Sequence, residues 1–467
     1  MIGLVGPRAS IGRFLQQTWG HLLIILMLSL LLVFHNLGRG SIITTDFDEG
    51  VHTRVTQYMA KTGTWWALYS SEGIPYYNKP PLKIWLSALT ISLFGNSEFV
   101  LRIWDAVFGL LTFIMVYFLG RVLFSSKAVG LLGVLILMGG RDFLLNHNMR
   151  TGVMDSLMMF FLVGSFFFFR LREKKPYFYY LSGLCMGLGA LTKSVQALVP
   201  LIIIILYLVL TLQYAELKTR PFWGMVGLAL LLPTLWYLPQ MLFSPGFFDV
   251  AIVKQIFHRV QGKIHRPHVH GPFYFFQVIY SGFFPWSLVA VPAIGIAFWQ
   301  AIQRKNREMI FLLTWIFTVF IGFSISKMKA VWYMNPLYPA LALLIAMVGY
   351  TIIVSLKMRY PASPLLAPFA IVILAVLLSS SLYANFQRVH QEPEKLPIHI
   401  FTDYLRDMSD DQYHLVLYDL QGRELDYADE YYMDRISADH ITHTDDIQVI
   451  EQLSRQPIPL FVLLKRS

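Results

Sequence analysis

Thr44-Thr45-Asp46-Phe47-Asp48-Glu49 and, about thirty residues on, Tyr76-Tyr77-Asn78-Lys79-Pro80-Pro81 bracket the segment on which the reading of this chain turns. Three carboxylates and a lysine stand in a loop just past the first long apolar run, Leu22–Phe34, with strongly apolar sequence around it. Ionised groups held at a bilayer surface are expensive and mark function by default.

Working outward, the composition fits a membrane protein. The 467 residues are 56% hydrophobic with mean hydropathy +0.54, above the usual 45–50% of soluble chains. About eleven spans of roughly 20 residues each are expected near 20–38, 100–123, 128–146, 154–171, 176–192, 195–213, 222–243, 273–300, 309–326, 331–354 and 364–385. The first run has Arg8 and Arg13 before it, but His35-Asn36-Leu37-Gly38-Arg39 is not a small-x-small cleavage site, so an uncleaved anchor is expected. The single cysteine, Cys185, falls in a span and excludes a disulfide framework.

Basic residues set the orientation. With the N-terminus in the cytoplasm, alternate short loops carry Arg121 and Lys127, then Arg170, Arg172, Lys174 and Lys175, then Lys218 and Arg220, Arg304, Lys305 and Arg307, and Lys357 and Arg359. The Asp48 loop and everything past about residue 385 then lie outside. Residues 386–467 hold 16 acids against 8 bases, leaving 12 against 30 in the rest. The overall +10 is thus a basic membrane body joined to an acidic tail, which gives no reason to expect nucleic acid.

Several bases break the ladder on the outer side, among them Lys79, Arg150, Lys193, Arg259, Lys327 and Lys329. One such base is a snorkelling side chain. A dozen, interleaved with acids, point to an anionic ligand such as phosphate. The acids agree: within the first 385 residues only Glu173, Glu216 and Glu308 map to the cytoplasmic side.

The expected architecture is an α-helical polytopic membrane domain, residues 1–385, whose outer loops 39–99 and 243–271 form the active site, followed by a small soluble α/β domain, 386–467. Asp48 through Met59 reads as a short amphipathic helix, and Pro81–Phe94 as an interfacial helix too short to cross. In the tail, His414–Tyr418 and Leu460–Leu464 read as strands, with a helix near Asp445–Leu453.

The run from Asp46-Phe47-Asp48-Glu49 through Gly73-Ile74-Pro75-Tyr76-Tyr77-Asn78-Lys79-Pro80-Pro81 resembles the aminoarabinose-transferase and protein-mannosyltransferase superfamily, membrane glycosyltransferases of the C fold (GT-C). Arg150-Thr151-Gly152-Val153-Met154-Asp155, Gly187 through Lys193, Ser244-Pro245-Gly246-Phe247-Phe248 and Ser326 through Pro336 agree in order, and His270-Gly271-Pro272 with Phe284-Pro285-Trp286 fits as well. The resemblance covers roughly 20–355. It implies transfer of a sugar from a polyprenyl phosphate to a lipid (lipid A-like), glycan or protein acceptor at the outer face of the inner membrane, with inversion. Asp48 and Asp155 would be the catalytic acids; Lys79, Arg259 and Tyr333, with Lys193, Lys327 and Lys329, would meet the donor phosphate; Asp46, Glu49 and Arg150 would support them. Two departures stand out. Asn78 replaces a glutamate that contributes to a metal site in many aminoarabinose transferases, and Gln255-Ile256 replaces a Glu-His pair.

The residues also admit other readings. Asp48 suits a helix N-cap, Asp155 could pair with Arg150, Glu49 and Asp46 could be solvated, and Tyr333 could be interfacial packing. No cofactor is required by the pattern; a divalent cation stays open, with Asp48 and His258 as candidate ligands, although the run through His265, His268 and His270 is not a known zinc set. The alternative function is a transporter or flippase of lipid-linked sugars, but polar residues gather at one face and not at the midplane.

Overall fold

The structure, a computed structural model, describes residues 7–39, 47–263, 269–359, 363, 365–391, 414–418, 441–444, 447–454 and 460–464. Asp46, His265 and His268 lie outside the described residues. The chain divides into two compact units. The first comprises Met1–Leu37, Tyr76–Leu86 and Arg102–Gln391; the second comprises Gly38–Pro75, Ser87–Leu101 and Glu392–Ser467.

In chain order the elements are α1 (Pro7–Ser29, continued by a π turn, Leu30–Phe34), α2 (Phe47–Thr62), β1 (Tyr69–Ser71), β2 (Ile74–Pro75), α3 (Leu82–Phe94), α4 (Glu98–Phe124), α5 (Lys127–Gly139), α6 (Arg141–Leu145), α7 (Asp155–Leu171) and α8 (Phe178–Lys193). A 3-10 turn, Ser194–Leu198, leads into α9 (Val199–Leu210), followed by α10 (Arg220–Phe243) and a π-helix, Asp249–His258, closed by the turn Arg259–Gln261. After these come α11 (Tyr274–Gly282), α12 (Trp286–Gln303), α13 (Arg307–Ile325), a 3-10 helix, Val331–Leu337, α14 (Tyr338–Arg359) and α15 (Leu366–His390). The tail contributes β3 (His414–Tyr418), β4 (Ile441–Thr444), α16 (Ile447–Ser454) and β5 (Leu460–Leu464).

Every expected span is helical. Seven helices among the described residues are long and apolar enough to cross a membrane, by length and composition: Glu98–Phe124, Phe178–Leu210, Arg220–Phe243, Trp286–Gln303, Arg307–Ile325, Val331–Arg359 and Leu366–His390. Two expected spans, 176–192 and 195–213, merge into one long run that is bent where Ser194 takes φ +64°. The expected 273–300 span divides into α11 and α12 around Phe283, Phe284 and Pro285, since proline removes a helix donor.

The helices start where their sequences supply caps. Ser126, Thr219 and Asn306 each accept a hydrogen bond from a backbone N–H three residues on, the usual N-cap role. Packing is close because small residues face backbone. A Cβ at Gly183 would meet Met225 carbonyl oxygen at 2.3 Å, and one at Gly187 would meet that of Leu228 at 2.8 Å. This Gly-xxx-Gly pair therefore sets the approach of α8 to α10. The core runs through the buried first half of α14, from Tyr338 to Ala346, against α5.

In the second unit, α2 packs beside the β1–β2 hairpin, with Arg54 Nε donating to Ser70 carbonyl oxygen at 2.9 Å. Asp48 and Glu49 occupy the first turn of α2, where the helix dipole favours carboxylates. Asp48 is half-buried. Glu49 is fully buried, so the solvated reading does not hold for it. The tail strands form a parallel sheet in the order β4-β3-β5, with Leu415 opposite both Ile441 and Phe461.

Candidate active site

Within the first unit, one cavity of about 490 Å³ gathers three of the bases that break the charge ladder. Lys79, Lys193, Arg259 and Tyr333 line it, together with the amides Asn78, Gln196 and Gln255. The rest of its wall is largely apolar and includes Val199 and Ile202 on α9 and Val319, Gly322 and Phe323 on α13.

Each cation reaches the cavity for a local reason. Tyr77 sets its ring edge-on against Phe247 at 5.2 Å, and Phe247 is itself boxed by Trp236 and Tyr237. This cage holds the Asn78-Lys79 segment, and Gly246, at φ +78°, supplies the turn that brings Phe247 into it. Gln255 and Arg259, four residues apart on the π-helix and its closing turn, face the same cavity. Gln255 Nε2 donates to Asn78 Oδ1 at 2.9 Å, joining segments 177 residues apart in the chain. Arg259 Nη1 donates to Tyr333 Oη at 3.5 Å. Tyr333 sits on the 3-10 helix, which Trp315 fixes by donating from Nε1 to Pro336 carbonyl oxygen at 2.8 Å.

Asp155 stands at the N-terminal end of α7, 1% exposed. Its partners correct one expected alternative. Oδ2 accepts from Lys193 Nζ and lies 3.4 Å from His147 Nε2. Arg150 instead donates from Nη1 to the carbonyls of Leu32, Val33 and His35 at the end of the first helix, at 3.2, 2.7 and 2.8 Å. Burial, and next the charge of Arg102, pull its guanidinium down to about 10. That carbonyl end is where a buried cation is best placed.

His147 was not visible as a site residue. It takes φ +51°, unusual for a side chain with a Cβ, and its ring stacks on Trp332 at 4.1 Å. Its only sequence signal was its place in the His147-Asn148-Met149-Arg150 run just ahead of the Asp155 motif. Ser194, the second strained residue, also lines the cavity and turns the chain after Lys193.

Lys327 and Lys329 are near the site but are not among the residues lining this cavity. Lys327 is exposed, and its backbone N–H donates to Val260 carbonyl oxygen at 3.1 Å. Lys329 is buried; its Nζ donates to the carbonyls of Ser326 and, at 3.3 Å, His270. Burial lowers the pKa of its ammonium. Lys327 thus ties its segment to the turn that carries Arg259, and Lys329 ties it to His270. Asp48 and Glu49 belong to the second unit, and His258 to the first.

The donor set does not fit a metal held as in the relatives with a glutamate at the Asn78 position. The amide there is already hydrogen-bonded to Gln255, and among the described residues no three His, Cys, Asp or Glu side chains come together as ligands.

Residues 78–237 match the family described as dolichyl-phosphate-mannose-protein mannosyltransferase. An uncharacterised protein of Aquifex aeolicus is 31% identical over 329 residues, 69% of this chain and 63% of that protein. The undecaprenyl phosphate-alpha-4-amino-4-deoxy-L-arabinose arabinosyl transferase of Yersinia pestis is 26% identical over 321 residues, 67% of this chain and 56% of that protein. The chain therefore spans about six-tenths of the length of these relatives. The crystal structure of ArnT from Cupriavidus metallidurans bound to undecaprenyl phosphate superposes with a TM-score of 0.66 at 16% identity, covering 95% of this chain and 90% of that one.

Proposed function

We propose that this chain is a membrane glycosyltransferase of the GT-C superfamily and that it transfers a sugar from a polyprenyl phosphate to an acceptor at the extracytoplasmic face of the inner membrane, a reading supported by the family match over residues 78–237 and by the fold shared with ArnT. One observation carries this reading: three cations and a phenol share a cavity with an apolar wall. A prenyl phosphate is an anion at the end of a hydrocarbon chain, and the cavity offers both environments side by side.

In the proposed reaction the bond from the anomeric carbon to the phosphate oxygen breaks, and the electron pair leaves with the phosphate. Lys79, Lys193 and Arg259 disperse the growing negative charge, and the Tyr333 hydroxyl donates a hydrogen bond to it. Groups aimed at charge that develops in the transition state are commonly the largest single catalytic contribution. An acceptor oxygen attacks the opposite face of the sugar, giving inversion. Where that acceptor is a hydroxyl, its proton passes to a carboxylate. Asp155 acts through Lys193, holding the ammonium in place.

The test supplies labelled undecaprenyl-phosphate sugars to the purified protein with lipid A, a glycan and a peptide as acceptors. Label on one of them, lost in Lys79→Ala, supports the transferase and identifies the acceptor class. Movement of donor between leaflets with no transfer of label would replace it with a transporter.

A further inference from the structure

Resting on that reading, we infer that the Asn78–Gln255 amide pair is the donor-sugar recognition element and that the sugar it takes is uncharged. A donor is linear: saccharide, phosphate, prenyl chain. The cations Lys79, Lys193 and Arg259 fix where the phosphate sits, and the Val199, Ile202, Val319 and Phe323 wall fixes where the first isoprene units go. The saccharide is left with the remaining polar wall, where Asn78 is exposed and Gln255 is half-buried, at the solvent side of the cavity.

The chemistry of the pair suits hydroxyl groups. One amide N–H of Gln255 is used on Asn78 Oδ1. The Asn78 amino group and the Gln255 carbonyl oxygen keep donors and an acceptor to offer. A sugar hydroxyl both donates and accepts, so adjacent amides can engage neighbouring hydroxyls in a fixed orientation. The mutual hydrogen bond also keeps both side chains turned toward the cavity without a ligand.

An ammonium on the sugar is a poor match. The described lining carries three cations and no carboxylate, and Asp155, which pairs with Lys193 of that lining, also lies 3.4 Å from His147 Nε2. Within that lining a protonated amine would be drawn close to like charges with neutral amides to receive it, which is disfavoured wherever water is partly excluded. The amide pair thus separates this cavity from one suited to an amino sugar.

The matched probes are undecaprenyl phosphate carrying arabinose or 4-amino-4-deoxyarabinose, which differ in one group, with glucosyl, galactosyl and mannosyl donors beside them and bare undecaprenyl phosphate as reference. With the full chain in nanodiscs, at least one neutral donor is expected to bind and transfer at least tenfold better than the amino donor. Asn78→Ala and Gln255→Ala are each expected to bring that donor about tenfold closer to bare undecaprenyl phosphate in affinity, and Asn78→Glu to shift the neutral-to-amino ratio about tenfold toward the amino sugar. Retained thermal transitions would separate these effects from misfolding. Preference of the wild type for the amino donor, or an unchanged sugar-dependent part of binding in both alanine variants, overturns the inference. Failure of the transferase reading looks different: the wild type then binds neither bare undecaprenyl phosphate nor any donor.

Discussion

Helix α7 carries a buried acid at one end and a buried base at the other, roughly 22 Å apart along the axis, and the two ends are built on opposite plans. At the Arg170 end, charge is closed on itself. Arg170 meets Tyr207 Oη at 2.9 Å and Glu308 at 3.4 Å, Arg172 meets Gln213 at 3.1 Å and lies over the Phe169 ring, and Tyr179 donates to Glu216. Five segments are tied together, and the cations are matched by acids. At the Asp155 end, one carboxylate serves Lys193 and His147, while Lys79 and Arg259 add positive charge around a cavity. The first end spends its charges on holding helices together. The second gathers three cations on one cavity, which is what a site for an anion requires.

Breaking the cavity end is expected to have the largest effect on activity. Arg259→Ala and Lys79→Ala should each lower kcat/KM for a polyprenyl-phosphate donor by about 100-fold or more, with a smaller change in thermal stability, since both residues line the cavity. Retention of more than a third of the activity in both variants would undo the comparison.

Asp155→Asn sits between the two plans, because a buried ion pair and the site share that residue. Loss of one partner of a buried pair typically costs about 3–5 kcal/mol, so both stability and activity should fall, the latter by about tens of times. A Lys193→Met, Asp155→Leu double variant should be more stable than either single variant, as calorimetry of the detergent-solubilised protein can read.

At the closed end, Arg170→Met should lower the melting temperature by about a few degrees while kcat/KM per folded molecule moves less than about threefold. A large KM change there would mean that the two ends are coupled.

The smallest effects sharpen the boundary of the site. Tyr333→Phe removes one long neutral donor and should cost about threefold to tenfold in kcat. Lys329 gives a pH signature. Its folded pKa is lowered by burial from 10.5, so between that lowered value and the ordinary one the unfolded chain holds a proton that the folded chain has released. Stability therefore rises with pH through that window. Lys329→Met should abolish the rise, measured as melting temperature against alkaline pH.

Much of this was legible in the sequence. Lys79, Arg259 and Tyr333 were expected together and share one cavity, and Lys193, a lesser candidate, lines it as well. Two of the tail strands and both helices within the first outer loop were found at nearly their observed bounds. Strand β4 was missed because Ile-Thr-His-Thr is too short and polar to signal itself; its parallel pairing with β3 makes it a strand. Lys327 and Lys329 looked like phosphate ligands because loop position does not tell which way a side chain points. Asp155 looked like a partner for Arg150 because the two are close in sequence, whereas its actual partners are brought in by the turns at His147 and Ser194.

The sequence by itself determined that this is a polytopic helical chain, where its charges sit along it, and which superfamily it resembles, because apolar run length and ordered motifs are local properties. Only the tertiary structure decided which of those charges gather at one cavity, and that Asn78 and Gln255, 177 residues apart, meet on one wall. Those outcomes depend on helix packing and on a few strained turns, whose geometry no local pattern encodes.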